Sequence, residues 1–134
     1  MSKDDMTAPD ASDIERMALA CIEALPDAFR APAEAVILRV EDFADDAMLS
    51  DLEMADPFEL TGLYDGVPLT QKSISDQPDR PDMIWLFRRP ILDEWVARGN
   101  VTMAELVSHV VIHELAHHFG WSDDDIARID EWWS

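Results

Sequence analysis

From Thr102 to Gly120 the chain runs without a proline or an internal glycine, and this stretch constrains the fold more than any other. Thr102 and Glu105 have capping-box spacing, Leu106, Val110, His113 and His117 recur at helical intervals, and Gly120 supplies the stop. One helix therefore carries the pentapeptide His113-Glu114-Leu115-Ala116-His117. Residues four apart lie one turn apart on the same face, about 6 Å along the axis, so two imidazoles can converge on one zinc ion at about 2.0 to 2.1 Å. Glu114 belongs beside such a metal and not on it. There it can take a proton from a metal-activated water and later deliver it to a leaving amine.

Gly120 and Asp123 extend the pattern to His-Glu-x-x-His-x-x-Gly-x-x-Asp. Glycine permits a sharp helix exit, after which the returning chain can bring Asp123 back as a third ligand. Asp124 and Asp125 fall in the first turn of a terminal helix expected after Ser122, where the helix dipole favours negative charge. His118 is turned about 100° from the His113 and His117 face and reads as a packed or hydrogen-bonding residue. His109, one turn before His113, suits a core or supporting role, and Trp121, Trp132 and Trp133 suit packing.

The single cysteine, Cys21, excludes an intrachain disulfide or thiolate cluster, so any metal must use imidazole and carboxylate. Ten Lys and Arg against 29 Asp and Glu give a net charge of −19, which repels nucleic acid and anionic membranes. No segment approaches the roughly 20 apolar residues of a membrane span, and the polar, acidic start lacks the pattern of a secretory signal. A cytoplasmic protein is expected. At 134 residues with 48% hydrophobic content, the chain suits one domain. Residues 1–11 read as a flexible acidic tail and 12–134 as the domain.

Along that domain, Ser12 and Glu15 have capping-box spacing, and Ile14, Met17, Ala18, Cys21, Ile22 and Leu25 form an apolar helical stripe ending at Pro26. Cys21 sits on that stripe as a buried thiol without chemistry. Residues 35–41 read as a strand, and 42–56 as one or two acidic helical turns resting on Met48, Leu52 and Leu49. A second strand is expected over 58–64. Asp65-Gly66 then turns the chain into Val67-Pro68-Leu69 and an irregular loop over 70–82 that could rim a cleft. A third strand follows over 83–88, and Pro90 opens a helix through Trp95 that Gly99-Asn100 stops.

The segment HELAHHFGWSDDDI, together with GLYDGVPLT and PDMIWLFRRPI, resembles the small bacterial zincin-like metallopeptidase family, over about residues 57–126. The resemblance implies an α+β, minimal zincin-like fold in which a small mixed β-sheet packs against helices, including the motif helix. It also implies Zn2+ held by His113, His117 and Asp123, Glu114 as catalytic base, and a peptide or protein substrate. Only 17 residues follow His117 and no methionine follows Met103, so neither the Met-turn nor the C-terminal subdomain of larger zincins is expected.

Two functions remain open on the sequence: a zinc-dependent peptidase of narrow specificity, and a non-enzymatic binding or regulatory module in which zinc holds the C-terminal segment to the helix. Glu114 favours hydrolysis, because a purely structural site needs no base there. A peptide deformylase would need a ligand cysteine in a Glu-Gly-Cys setting, whereas Cys21 lies in Ala-Cys-Ile on a helix. A zinc ribonuclease is disfavoured by the acidity and the lack of a basic groove.

Overall fold

The structure, a computed structural model, describes residues 8–66, 82–122, 124, 126 and 127. Its first helix, α1 (Ala11–Glu23), is capped by Asp10, whose side chain accepts from the Asp13 backbone while Asp13 returns the bond. The expected cap at Ser12 is thus displaced by two residues, and the helix already includes Ala11. A carboxylate can fill the same capping geometry as a serine hydroxyl, and both residues precede the apolar stripe. Arg88 Nε donates to the Pro9 carbonyl at 2.7 Å, just before the Asp10 cap.

Beyond Pro26 lies a short helix, α2 (Asp27–Ala33), for which the sequence held no clear periodic signal. Strand β1 (Ile37–Glu41) and helix α3 (Asp46–Asp51) follow where expected. Met48 and Leu49 of α3 pack on the domain, but Leu52 is 43% exposed and does not join them. The expected strand over 58–64 begins later. Asp56 caps a 3-10 turn over Pro57–Glu59, and only Gly62–Asp65 forms strand β2. Strand β3 (Met83–Phe87) passes directly into α4 (Arg88–Arg98), which starts two residues before Pro90 and ends at left-handed Gly99. Val67-Pro68-Leu69 and the expected loop up to residue 81 lie outside the described residues.

The three strands form one mixed sheet of order β1-β3-β2, with β1 parallel and β2 antiparallel to the central β3. Side chains alternate across β3, as the pleat requires. Ile84 and Leu86 are fully buried in the main core with residues of α1 and of the motif helix. Trp85 and Phe87 face a smaller cluster with Ala44, Leu60, Met48 and Leu63. The fold is therefore α+β, a small mixed sheet packed with helices, as the resemblance implied. Among the described residues no helix is long and apolar enough to cross a membrane.

Helix α5 (Met103–Phe119) is the centre of the main core, and 11 of its 17 residues are buried. Its exposed stripe is correspondingly narrow, and three of the residues on it are His109, His113 and His117. Thr102 caps the helix, accepting from the Glu105 backbone at 3.0 Å while its hydroxyl meets the Glu105 carboxylate at 3.1 Å. Gly120, at φ 65°, ends it in the left-handed conformation that glycine adopts without steric cost. Cys21 lies buried against this helix, with its thiol directed at the Ser108 carbonyl.

Candidate active site

His113 and His117 lie one turn apart on the exposed stripe of α5, with ring centroids 4.8 Å apart and planes inclined by 60°. Glu114, on the flank of that stripe, is turned toward β2 and only 7% exposed. Its Oε1 stands 3.6 Å from Nδ1 of His117. The three residues singled out within one pentapeptide are thus brought together, but in unlike environments. The imidazoles face solvent, and the carboxylate lies beneath them.

That difference sets the electrostatics. Burial pushes the Glu114 carboxyl above the ordinary glutamate range, while the neighbouring His117 and His113 and the backbone N–H of Tyr64 pull in the opposite direction without cancelling it. A carboxylate with a raised proton affinity, held by a main-chain donor, is suited to accept a proton during a reaction.

Tyr64 also fixes the site from its other side. Its ring lies 5.2 Å from that of His118, which is 3% exposed and has Nδ1 3.4 Å from an Asp82 oxygen. His118 packs edge-on to Phe119 at 4.3 Å as well. It is therefore a buried, packed residue directed away from the His113 and His117 face. Trp121 likewise packs, edge-on to Phe29 at 4.9 Å and stacked on Phe119 at 5.3 Å.

The approach of β2 to α5 depends on Gly62. A Cβ there would meet Val110 Cγ1 at 2.7 Å, the Trp85 carbonyl at 3.3 Å and Glu114 Cγ at 3.4 Å. Gly62 and Tyr64 are not among the site residues expected from the sequence. A glycine inside a strand pattern is the available signal for the first, since it marks close approach of another element. The second acts through its backbone, which leaves no mark on residue identity.

Beside the catalytic candidates is a cavity of about 150 Å³. Among the described residues, His109, Val110, His113 and Glu114 line it from α5, and Thr61, Glu94 and Arg98 line it from elsewhere. His109 is thus exposed at the edge of the site, outside the core. Arg98 Nε donates to Glu94 Oε2 at 3.1 Å. An i,i+4 ion pair is visible in the sequence, but its placement against α5 is not.

His113 and His117 are nitrogen donors of the kind zinc accepts. Two exposed imidazoles share one helix face, and an acidic side chain lies alongside them, the combination of nitrogen ligands and nearby base that suits this borderline cation. Asp123, expected as the third ligand, lies outside the described residues, as does Asp125. Asp124 is helical and exposed, and the Ile126 backbone donates to the Ser122 carbonyl at 3.1 Å, so a helical turn does begin near Ser122. Among the described residues no three His, Cys, Asp or Glu side chains converge as a metal cluster.

The model of the zincin-like metallopeptidase family matches residues 33–133 of the chain. The chain belongs to that family. No curated protein matches it. Within a zincin-like metallopeptidase, the mixed sheet and its motif helix are the expected frame. The match also takes in β1 and α3, which the sequence resemblance had not covered.

Proposed function

We propose that the protein is a zinc-dependent peptidase that hydrolyses peptide bonds with Glu114 as general base. The observation that carries this reading is the burial of Glu114 beside the two exposed imidazoles, with its proton affinity raised by desolvation. A carboxylate placed there solely for structure would gain nothing from being buried with incomplete compensation, whereas a base gains the proton affinity it needs. His113 and His117, with Asp123 from the segment after Gly120, would hold the zinc. When bound, that ion supplies a water acidified enough to lose a proton near neutral pH, together with Lewis-acid polarisation of the scissile carbonyl.

The chain's own residues do the remaining work. Glu114 takes the proton from the attacking water, holds it on a carboxylate shielded by β2, and delivers it to the nitrogen of the departing amine. The Tyr64 N–H keeps the carboxylate oriented throughout. The water and the peptide carbonyl supply the new C–O bond, the C–N bond breaks, and the transferred proton leaves on the amine, so the base is regenerated.

Glu114→Gln separates this reading from a zinc-stabilised binding module. The amide preserves shape and removes the base, so the variant should keep about one zinc per chain and lose at least about a hundredfold in peptide hydrolysis. A broad peptide-library screen of the zinc-loaded protein supplies the substrate. Unchanged turnover in the variant would remove Glu114 as base, and a wholly inactive parent that still binds zinc would favour the binding module.

A further inference from the structure

The cavity beside Glu114 has an unusual charge balance for a chain of net charge −19. Among the described residues its one arginine, Arg98, pairs with Glu94 at 3.1 Å, and both side chains remain substantially exposed, at 48% and 36%. We infer that this cavity is a substrate subsite for a neutral group carrying both a hydrogen-bond donor and an acceptor, a carboxamide such as that of Asn or Gln. The inference rests on the peptidase reading for its role in specificity, but the binding chemistry stands on the cavity alone.

A carboxylate meeting Arg98 would also face the like charge of Glu94, with Glu114 lining the same cavity. An ammonium group would gain Glu94 but face the guanidinium. Either ion would thus meet a charge of its own sign beside its partner, which offsets the attraction between them. A carboxamide carries no net charge to desolvate. Its carbonyl can accept from the Arg98 Nη groups, which remain available because Nε serves the ion pair, and its NH2 can donate to the Glu94 oxygen that Arg98 leaves unused. Thr61 and His109 add polar lining, and Val110 offers an apolar contact for a short methylene stem. At about 150 Å³ the cavity suits a small polar side chain and not a large aromatic one.

The test uses three probes with the same carbon chain, butyramide, butyrate and butylammonium, titrated into the full-length protein without added metal. The backbone amides of Thr61 and Val110 report binding by nuclear magnetic resonance. Butyramide should bind at least about fivefold more tightly than either ion. Glu94→Gln frees Arg98 and should reverse the order in favour of butyrate, and Arg98→Gln should reverse it in favour of butylammonium. Because the two substitutions move preference in opposite directions, a general loss of folding cannot imitate the result. Equal binding of all three probes, no response at either amide, or an order unmoved by both variants would overturn the inference. The measurement needs neither zinc nor turnover, so failure of the peptidase reading would appear separately, as an inactive parent with the carboxamide preference intact.

Discussion

Gly62 on β2 meets Val110 on α5 so closely that a Cβ added to the glycine would stand 2.7 Å from Val110 Cγ1. The contact lets an edge strand lie on the helix that bears the histidines, and it brings the Tyr64 N–H two residues later to the Glu114 carboxylate. Gly62→Ala should therefore destabilise the protein by about 1 to 3 kcal/mol, the usual cost of overpacking, despite the modest gain from replacing a strand glycine. Urea unfolding checks this. An alanine variant as stable as the parent would mean that β2 and α5 separate easily, and the account of Glu114 positioning would fall with it.

The raised proton affinity of Glu114 has a stability consequence of definite sign. Because burial favours its neutral form in the folded state, the stabilising contribution is fully present below the ordinary glutamate pKa near 4.3 and is lost as pH rises through the elevated folded value. At pH 7.5 the metal-free protein bears the cost of a buried charge. Glu114→Gln removes that charge and should raise the Tm by about 2 to 5 °C, with the advantage over the parent shrinking below about pH 4. A glutamine variant less stable than the parent at pH 7.5 would contradict this.

Zinc affinity should discriminate among three consecutive aspartates. Asp123→Ala is expected to weaken zinc binding at least about tenfold, roughly 1.4 kcal/mol, while Asp124→Ala and Asp125→Ala change it little. Asp124 is helical and exposed just after Ser122, a position where a negative charge at a helix start is favoured. Competition titrations against a chromogenic chelator give the constants. Equal losses at all three positions would indicate general electrostatics, and a loss confined to Asp124 or Asp125 would reassign the ligand. Binding to the parent should weaken in acid, because ligating imidazoles must shed their protons.

Cys21 should be chemically silent in the folded protein. Burial pushes its thiol up to about 11, and the side chain is only 1% exposed. At pH 7.5, labelling by iodoacetamide should be at least about a hundredfold slower in the native protein than in urea, as read by mass spectrometry. Rapid native labelling would show that α1 separates from α5 far more often than the packing implies.

Much of this molecule is written in local sequence. The motif helix, its Thr102 cap and its Gly120 stop follow from residue spacing within one segment, because helix capping and periodicity involve neighbours along the chain. The pairing of His113 with His117, the core position of Cys21 and the packed role of His118 followed from the same periodicity. The displaced cap at Asp10 and the late start of β2 show its limit: adjacent residues offered equivalent signals, and packing chose between them. Only the tertiary structure decided that Glu114 is desolvated beneath the imidazoles, that Gly62 and Tyr64 hold it from the neighbouring strand, and that Glu94 and Arg98 close a cavity against α5. Those relations join residues distant in the chain through a close-packed interior. Burial and main-chain contacts there depend on which elements meet, and no spacing within a single segment encodes that.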